Sequence, residues 1–398
     1  MHKKLKTLYL TANGFGKVVV TADTVLRGIL RAKDGTPPPA MFRNNKYIVN
    51  LYAHLRQFYD SLSYIGDWQD AFARSPRLDV EVCNINNLVD FGRCLLKIRS
   101  YDLIVVSHAA AGDDMTILTK AAPLLARRDC PMLVFIGNEY DLLDEKIAFM
   151  QRVKADRICS QLPFNAASYL YDGIDGSRIL SMPHALNPDV YRPPATDDRE
   201  VDLGFVGDIY WPFVGDEERT HLIRHFEACG AEYGLTCDIR AGQMVRLPRD
   251  EWAAFLRRTK GLIGAESGTY YLNDHGKLLT RARDYNLKEN QQASFAEVFE
   301  KFYAGVTPGV SGKSVSSRHF EPIGAKCCQL LLEGDYNGTL TAGEHYIPIK
   351  RDLSDVAEAV RAFKDEGYRR KIADQAYEHV MDNHTYARRV EFALSTLF

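Results

Sequence analysis

The chain has 398 residues, 46% of them hydrophobic and 26% charged, with a net charge of −2. That length suits two cores of ordinary size, and the composition excludes an intrinsically disordered chain. A charge this close to zero excludes a general attraction to nucleic acid or anionic lipid, so any phosphate site must be a local cluster. No apolar run approaches the ~20 residues needed to span a bilayer. The basic start, MHKKLK, leads into a stretch too short for a signal-peptide core, and a cytoplasmic location is expected. Eight cysteines are scattered without a CxxC pair, which fits reduced core thiols and offers no zinc spacing.

Leu5–Leu10 reads as a first strand, followed by the loop Asn13-Gly14-Phe15-Gly16-Lys17. Gly14 and Gly16 suit a close backbone approach to a phosphate or an acceptor at the strand's carboxyl end. Val19 stands where a dinucleotide fingerprint needs a third Gly or Ala, so a dehydrogenase is a poor reading. Ile48, Tyr52, Leu55, Tyr59 and Leu62 recur with helical spacing, and Tyr64, Trp68 and Phe72 extend the aromatic series. A core-facing stripe is the expected role; an acceptor groove or peripheral membrane contact is the alternative.

Leu78–Val82, Tyr101–Ser107, Pro131–Gly137, Arg157–Ser160 and Ser177–Ser181 read as further strands, several apolar enough for a buried parallel sheet. The third strand delivers His108 to its carboxyl end, and the fourth delivers Asn138, Glu139 and Asp141. Glu139 or Asp141 can act as a base toward an acceptor hydroxyl, or cap the next helix. Met182–Pro194 holds four of the sixteen prolines and reads as an interdomain linker.

Val201–Val206 restarts the pattern, with Gly207-Asp208 opening a loop. Strands at Leu235–Ile239 (with Arg240 at its exit), Gly261–Ala265 (feeding Glu266 and Ser267), Cys327–Leu332 and Tyr346–Ile349 follow, alternating with helices. Arg240 is either a phosphate contact or a solvated surface residue. Asn273–Asn290 reads as an irregular polar insertion. Thr307–Ser314, TPGVSGKS, imitates a P-loop with its first Gly replaced. A helix precedes it where a Walker loop needs a buried strand, so Lys313 is better placed as a phosphate or sugar contact.

The most informative stretch is SSRHFEPIGAKCCQLLL, 316–332. Ser316, Ser317, Arg318 and His319 form a polar, basic loop at a helix N-terminus, where free N–H groups and the dipole favour an anion. Glu321 falls in the first helical turn, where a carboxylate can accept hydrogen bonds from a ribose diol.

Together with GFVGD (204–208), GAESGTYYLND (264–274) and EHYIPIKRDLSD (344–355), this stretch resembles the nucleotide-sugar half of GT-B glycosyltransferases. The similarity is to the group-1-like transferases of bacterial envelope polysaccharide biosynthesis. The resemblance implies an α/β fold with two facing Rossmann-like domains: 1–190 for the acceptor, 200–380 for the donor, and a helix over 381–398 crossing back. It implies transfer of a sugar from a nucleotide diphosphate sugar to a carbohydrate or glycolipid acceptor; the Ser316–His319 loop, with Arg318 as the cation, would stabilise the leaving diphosphate without a metal, and no cofactor or nucleic-acid partner is expected. It puts ribose contact on Glu321, a donor-sugar contact on His108, and Lys313 where many relatives carry a second Glu. Glu266 and Ser267 are weaker candidates for the sugar. The alternatives are a non-catalytic scaffold that binds a polysaccharide or partner, and an ATP-dependent P-loop enzyme.

Overall fold

The computed structural model describes residues 3–12, 63–196, 198–242 and 245–398. The loop with Gly14 and Gly16, and the predicted helix from Ile48 to Leu62, lie outside the described residues. Contacts divide the chain into two compact units, Met1–Cys159 with Ala393–Phe398, and Ser160–Phe392.

One sheet holds β1 (Leu5–Thr11), β2 (Leu78–Asn84), β3 (Leu103–Val106), β4 (Met132–Phe135), β5 (Arg157–Ser160) and β6 (Ile179–Ser181), ordered β2-β1-β3-β4-β5-β6. The pairings from β1 to β5 are parallel. Every residue of β3 and β4 is buried. Continuous apolar runs such as LIVV and MLVF are what a parallel sheet covered on both faces requires. α1 (Ser63–Arg74) buries Trp68 and Phe72. Those rings lie 4.7 and 5.8 Å from Phe135, which makes the aromatic series a core stripe over these residues. The remaining helices of this part of the chain are α2 (Leu88–Leu96), α3 (Thr116–Leu125), α4 (Leu143–Val153) and α5 (Phe164–Leu170).

The second sheet is parallel throughout: β7 (Val201–Asp208), β8 (Cys237–Gly242), β9 (Thr259–Gly264), β10 (Cys328–Leu332) and β11 (Ile347–Ile349), ordered β11-β10-β9-β7-β8. The chain leaves β7 toward β8 on one side and resumes with β9 on the other, so a topological switch lies between β7 and β9. In open parallel sheets ligands bind at that point, beyond the carboxyl ends of the strands. Around the sheet run α6 (Glu218–Cys229), α7 (Arg249–Arg257), α8 (Lys277–Asp284), α9 (Phe295–Phe302), α10 (Ser317–Gly324), α11 (Val356–Lys364), α12 (Glu366–Asn383) and α13 (Tyr386–Ser395). Strand alternation divides the core. Leu331 packs with Trp252, Phe320 and Ile323, whereas Leu330 and Leu332 pack with Leu222, Phe226 and Phe363.

Two expectations change. Residues 273–290 are mostly helical, α8 running into a π-turn at Tyr285–Glu289, because Leu278, Leu279 and Ala282 bury one face that the polar composition conceals. The Pro-rich stretch 182–194 is not a loose tether. Leu186 and Tyr191 are buried in the second unit's core, and Leu186 exchanges backbone hydrogen bonds with His384 and Tyr386. At the C-terminus, Arg157 Nη2 donates to the Thr396 carbonyl at 2.6 Å within the first unit.

Candidate functional site

A pocket opens at the switch between β7 and β9, lined by Phe205, Val206, Leu262, Ile263 and Gly264, with Trp252 of α7 and Gln329 and Leu331 of β10. Arg219 from the first turn of α6 and Ser316, Arg318 and His319 from the start of α10 complete the wall.

The α10 terminus is fixed by a capping box. The Ser316 amide donates to His319 Nδ1 at 3.0 Å, and the Ser316 side chain caps the His319 end of the first turn. With Nδ1 accepting, the imidazole carries its proton on Nε2, which donates to the Ala265 carbonyl at 3.1 Å. Burial, reinforced by the nearby Arg219 cation, pushes the imidazole down to about 4. His319 is therefore a neutral brace tying α10 to the end of β9. This corrects the expectation that it belongs to a cationic cluster. Ser317 is buried behind it, and the His319 amide of the first turn is taken up by Ser316.

Arg318 lies with its guanidinium carbon 4.2 Å from the centre of the Trp252 ring, and its buried Nη1 has no hydrogen-bond partner. Arg219 lies over Phe205 and Tyr210, at 5.4 and 5.3 Å. The acidic neighbours that could neutralise it are turned elsewhere: Glu217 toward His221 at 3.7 Å, and Glu218 to the Tyr270 hydroxyl at 2.8 Å. Among the described residues, neither arginine has a carboxylate partner. Two such cations in one pocket at a helix N-terminus are groups of the kind that stabilise an anion. Sequence reasoning missed Arg219, because adjacent Glu217 and Glu218 make it look like part of a solvated charge run.

Arg240 does not join them. Asp238 holds it through two contacts of 2.9 Å on the edge strand β8, and it does not line the pocket. Gly207 ends the buried part of β7 beside Arg219, whose guanidinium would lie 3.7 Å from an added Cβ. Glu321 stands beside Trp252. It has no accessible surface and does not line the pocket, and its Oε2 accepts the Trp252 indole N–H at 2.7 Å.

Ser267 lines the pocket and exchanges backbone hydrogen bonds of 2.9 and 2.8 Å with Ser314, so the two loops form a short antiparallel bridge. Glu266, one residue earlier, is buried. It accepts the Tyr336 amide at 2.7 Å, and burial raises its carboxyl above the usual range. Lys313 is buried on the far strand of the bridge and ion-paired with Asp216. The segment 307–314 is a loop preceded by α9, so the strand that a Walker loop requires is absent.

The remaining candidates belong to the first unit. His108 is buried at the end of β3 beside Phe135 and Trp68, with ring centres 5.1 and 5.5 Å away. Glu139 is buried, and the Asp141 amide donates to the Asn138 carbonyl at 3.0 Å. Buried Lys146 holds this loop by donating to the Gly137 and Asn138 carbonyls at 2.7 and 2.8 Å. Asn138 and Leu142 take left-handed φ values of 45° and 49°, an arrangement kept only where the surroundings enforce it.

Among the described residues, no helix is long and apolar enough to cross a membrane. Residues 249–395 match a family model described as glycosyl transferase-like. No curated protein matches the chain in sequence. The fold is similar to an α-glucosyltransferase solved with UDP and a 13-mer DNA containing a HMU base, at 8% identity over 99% of this chain and 100% of that one, with a TM-score of 0.57. It is also similar to HepE of Anabaena in complex with UDP, at 11% identity over 99% and 100% of the two chains and a TM-score of 0.50. AviGT4, a glycosyltransferase involved in avilamycin A biosynthesis, matches at 9% identity over 99% and 97%, with a TM-score of 0.50. The C-terminal part thus carries a glycosyl transferase-like match, and the chain as a whole has the fold of these GT-B glycosyltransferases.

Proposed function

We propose that the pocket at the β7–β9 switch binds the diphosphate of a nucleoside diphosphate sugar and that the chain transfers the sugar to a carbohydrate or glycolipid acceptor. The observation that carries this reading is the pair Arg219 and Arg318, which line one pocket at the N-terminus of α10 without a carboxylate partner among the described residues. When the bond from the anomeric carbon to the diphosphate breaks, its electron pair moves onto the diphosphate oxygen. Preorganised guanidinium and N–H groups stabilise that charge. Such a set neutralises the leaving group without a metal, and metal independence is part of the proposal.

Ser267 and the Ser316 cap belong to the same wall and are assigned to donor contact. Glu139 or Asp141 is assigned to accept the acceptor's proton, and His108 to the sugar, on their positions at strand ends. The structural neighbours solved with UDP make uridine the first base to test. A cytoplasmic site of action belongs to the same proposal.

Calorimetric titration with UDP, GDP, CDP, CMP, dTDP and ATP, with and without magnesium, tests the reading. Binding of one diphosphate, indifferent to magnesium and weakened by Arg318→Ala, is the expected result. Magnesium-dependent ATP binding alone, or no binding at all, overturns it.

A further inference from the structure

At the carboxyl edge of the second sheet, cations and tyrosine rings alternate from the pocket outwards. The Arg219 guanidinium carbon lies 5.3 Å from the centre of the Tyr210 ring, and Lys313 Nζ lies 4.8 Å from the same centre. Lys313 Nζ is also 4.5 Å from the centre of the Tyr270 ring, and the Arg351 guanidinium carbon is 5.1 Å from it. Tyr210 follows β7, Tyr270 follows β9, Lys313 precedes α10 and Arg351 follows β11, so the series joins four loops. Two carboxylates belong to it, and both are tied to members that do not line the pocket. Asp216 pairs with Lys313 at 2.9 Å, while Glu218 accepts the Tyr270 hydroxyl at 2.8 Å and lies 3.9 Å from Arg351 Nε. Arg219 does line the pocket, and it has no carboxylate partner among the described residues although Glu218 is its neighbour in the chain.

We propose that Tyr270 is a positioning residue for the donor: its hydroxyl holds Glu218 off Arg219 and so keeps that cation available to the diphosphate. Glu218 opens α6, and a carboxylate in a first turn is drawn to the helix's own N–H groups and to a cation beside it. Untied, it would bring a negative charge to the pocket wall and compete there with an anionic ligand. The Tyr270 hydroxyl stays protonated and able to donate, since burial first, and then the bond to Glu218, raises the phenol above its ordinary range. Lys313 and Arg351 hold the ring itself through its negative face, and Arg351 adds a cation on the Glu218 side. This inference rests on the reading that the pocket takes a nucleoside diphosphate.

The test titrates UDP into wild type, Tyr270→Phe, Glu218→Gln and the double variant. Tyr270→Phe keeps the ring that Lys313 and Arg351 pack on and removes only the hydroxyl. It is expected to weaken UDP about fivefold, between the bulk-water and protein-surface values for a charge about 10 Å from the ligand. Glu218→Gln in the wild-type background is expected to change the affinity less than about twofold, because the carboxylate is already held off. In the Tyr270→Phe background the same substitution is expected to restore the lost affinity. A tyrosine with only a structural role would not make one substitution depend on the other in this way. High salt should shrink the loss in Tyr270→Phe.

Wild-type affinity in Tyr270→Phe overturns the inference, and so does a Glu218→Gln effect of the same factor in both backgrounds. A wild type that binds another nucleoside diphosphate in place of UDP is titrated with that one, and the same outcomes apply. A wild type that binds none overturns the donor-site reading itself, and the inference with it. If Tyr270→Phe does not fold, Arg351→Gln takes its place, since Arg351 is half exposed and lies 3.9 Å from Glu218. A loss of about twofold or more that Glu218→Gln abolishes supports the hold on Glu218. Unchanged affinity, or a loss that persists with Glu218→Gln, overturns it.

Discussion

Lys313 Nζ lies 2.9 Å from an Asp216 carboxylate oxygen, in a pair whose side chains are only 5% and 9% exposed. The ammonium also sits 4.8 and 4.5 Å from the ring centres of Tyr210 and Tyr270. Burial opposes the charge, but Tyr210 and Asp216 more than offset it and hold Lys313 above the ordinary lysine range. The ammonium is therefore a clamp joining the turn before α6 to the loop that leads into α10. Lys313→Met leaves a buried carboxylate unpaired and should cost about 3–5 kcal/mol in urea unfolding. Adding Asp216→Asn should restore part of that loss, and a fully additive double variant would remove the clamp.

Arg219 lines the pocket, whereas Arg240 is paired with Asp238 outside it. Arg219→Ala removes a pocket cation without a carboxylate partner among the described residues. It should weaken UDP about tenfold or more while leaving the melting temperature near wild type. Arg240 is committed to Asp238, so Arg240→Ala should leave UDP affinity unchanged. Calorimetry at two salt concentrations checks both, since the salt dependence of UDP binding should fall only in Arg219→Ala.

His319 predicts an acid-sensitive fold. Its folded-state value of about 4 lies below the ordinary histidine value near 6.5. As the pH falls below about 6.5 the unfolded chain takes up a proton that the folded chain refuses, so stability is lost down to pH 4. For this group alone the loss between pH 7.5 and pH 5 is about 2 kcal/mol. Buried His184, held down to about 3 by desolvation, adds in the same direction. Urea unfolding at the two pH values should show a smaller difference in His319→Gln than in wild type.

Two glycines should respond oppositely to alanine. A Cβ on Gly324 would meet Leu186 Cδ1 at 2.5 Å and the Tyr191 carbonyl oxygen at 2.6 Å. Gly324→Ala should therefore destabilise by about 1–3 kcal/mol despite alanine's helix preference. Gly92 in α2 has open space around an added Cβ. Gly92→Ala should be neutral or stabilising by up to about 1 kcal/mol. Thermal unfolding of both variants measures the contrast.

Much of the architecture was legible because burial leaves a local signature. LIVV, MLVF and CQLLL are buried strands, and their length and apolarity follow from being covered on both faces. The helix start at 316–318 was legible for a similar reason, since a polar run entering a helix marks its N-terminus. Residues 273–290 misled because the three apolar side chains that seat α8 are diluted among charges.

The sequence by itself determined the strand rhythm, the helix starts and the position of Arg318. Each depends on residues close together in the chain. Only the tertiary structure decided which charges are free to bind. Arg219 has two acidic neighbours in sequence and pairs with neither. Arg240 stands alone at a strand end and is claimed by Asp238. His319 looks cationic and is a neutral brace, and Glu321 is enclosed behind Trp252. Whether a charge is spent depends on partners brought together across the sheet, 54 residues apart for His319 and Ala265 and 69 for Trp252 and Glu321, and no local pattern encodes them.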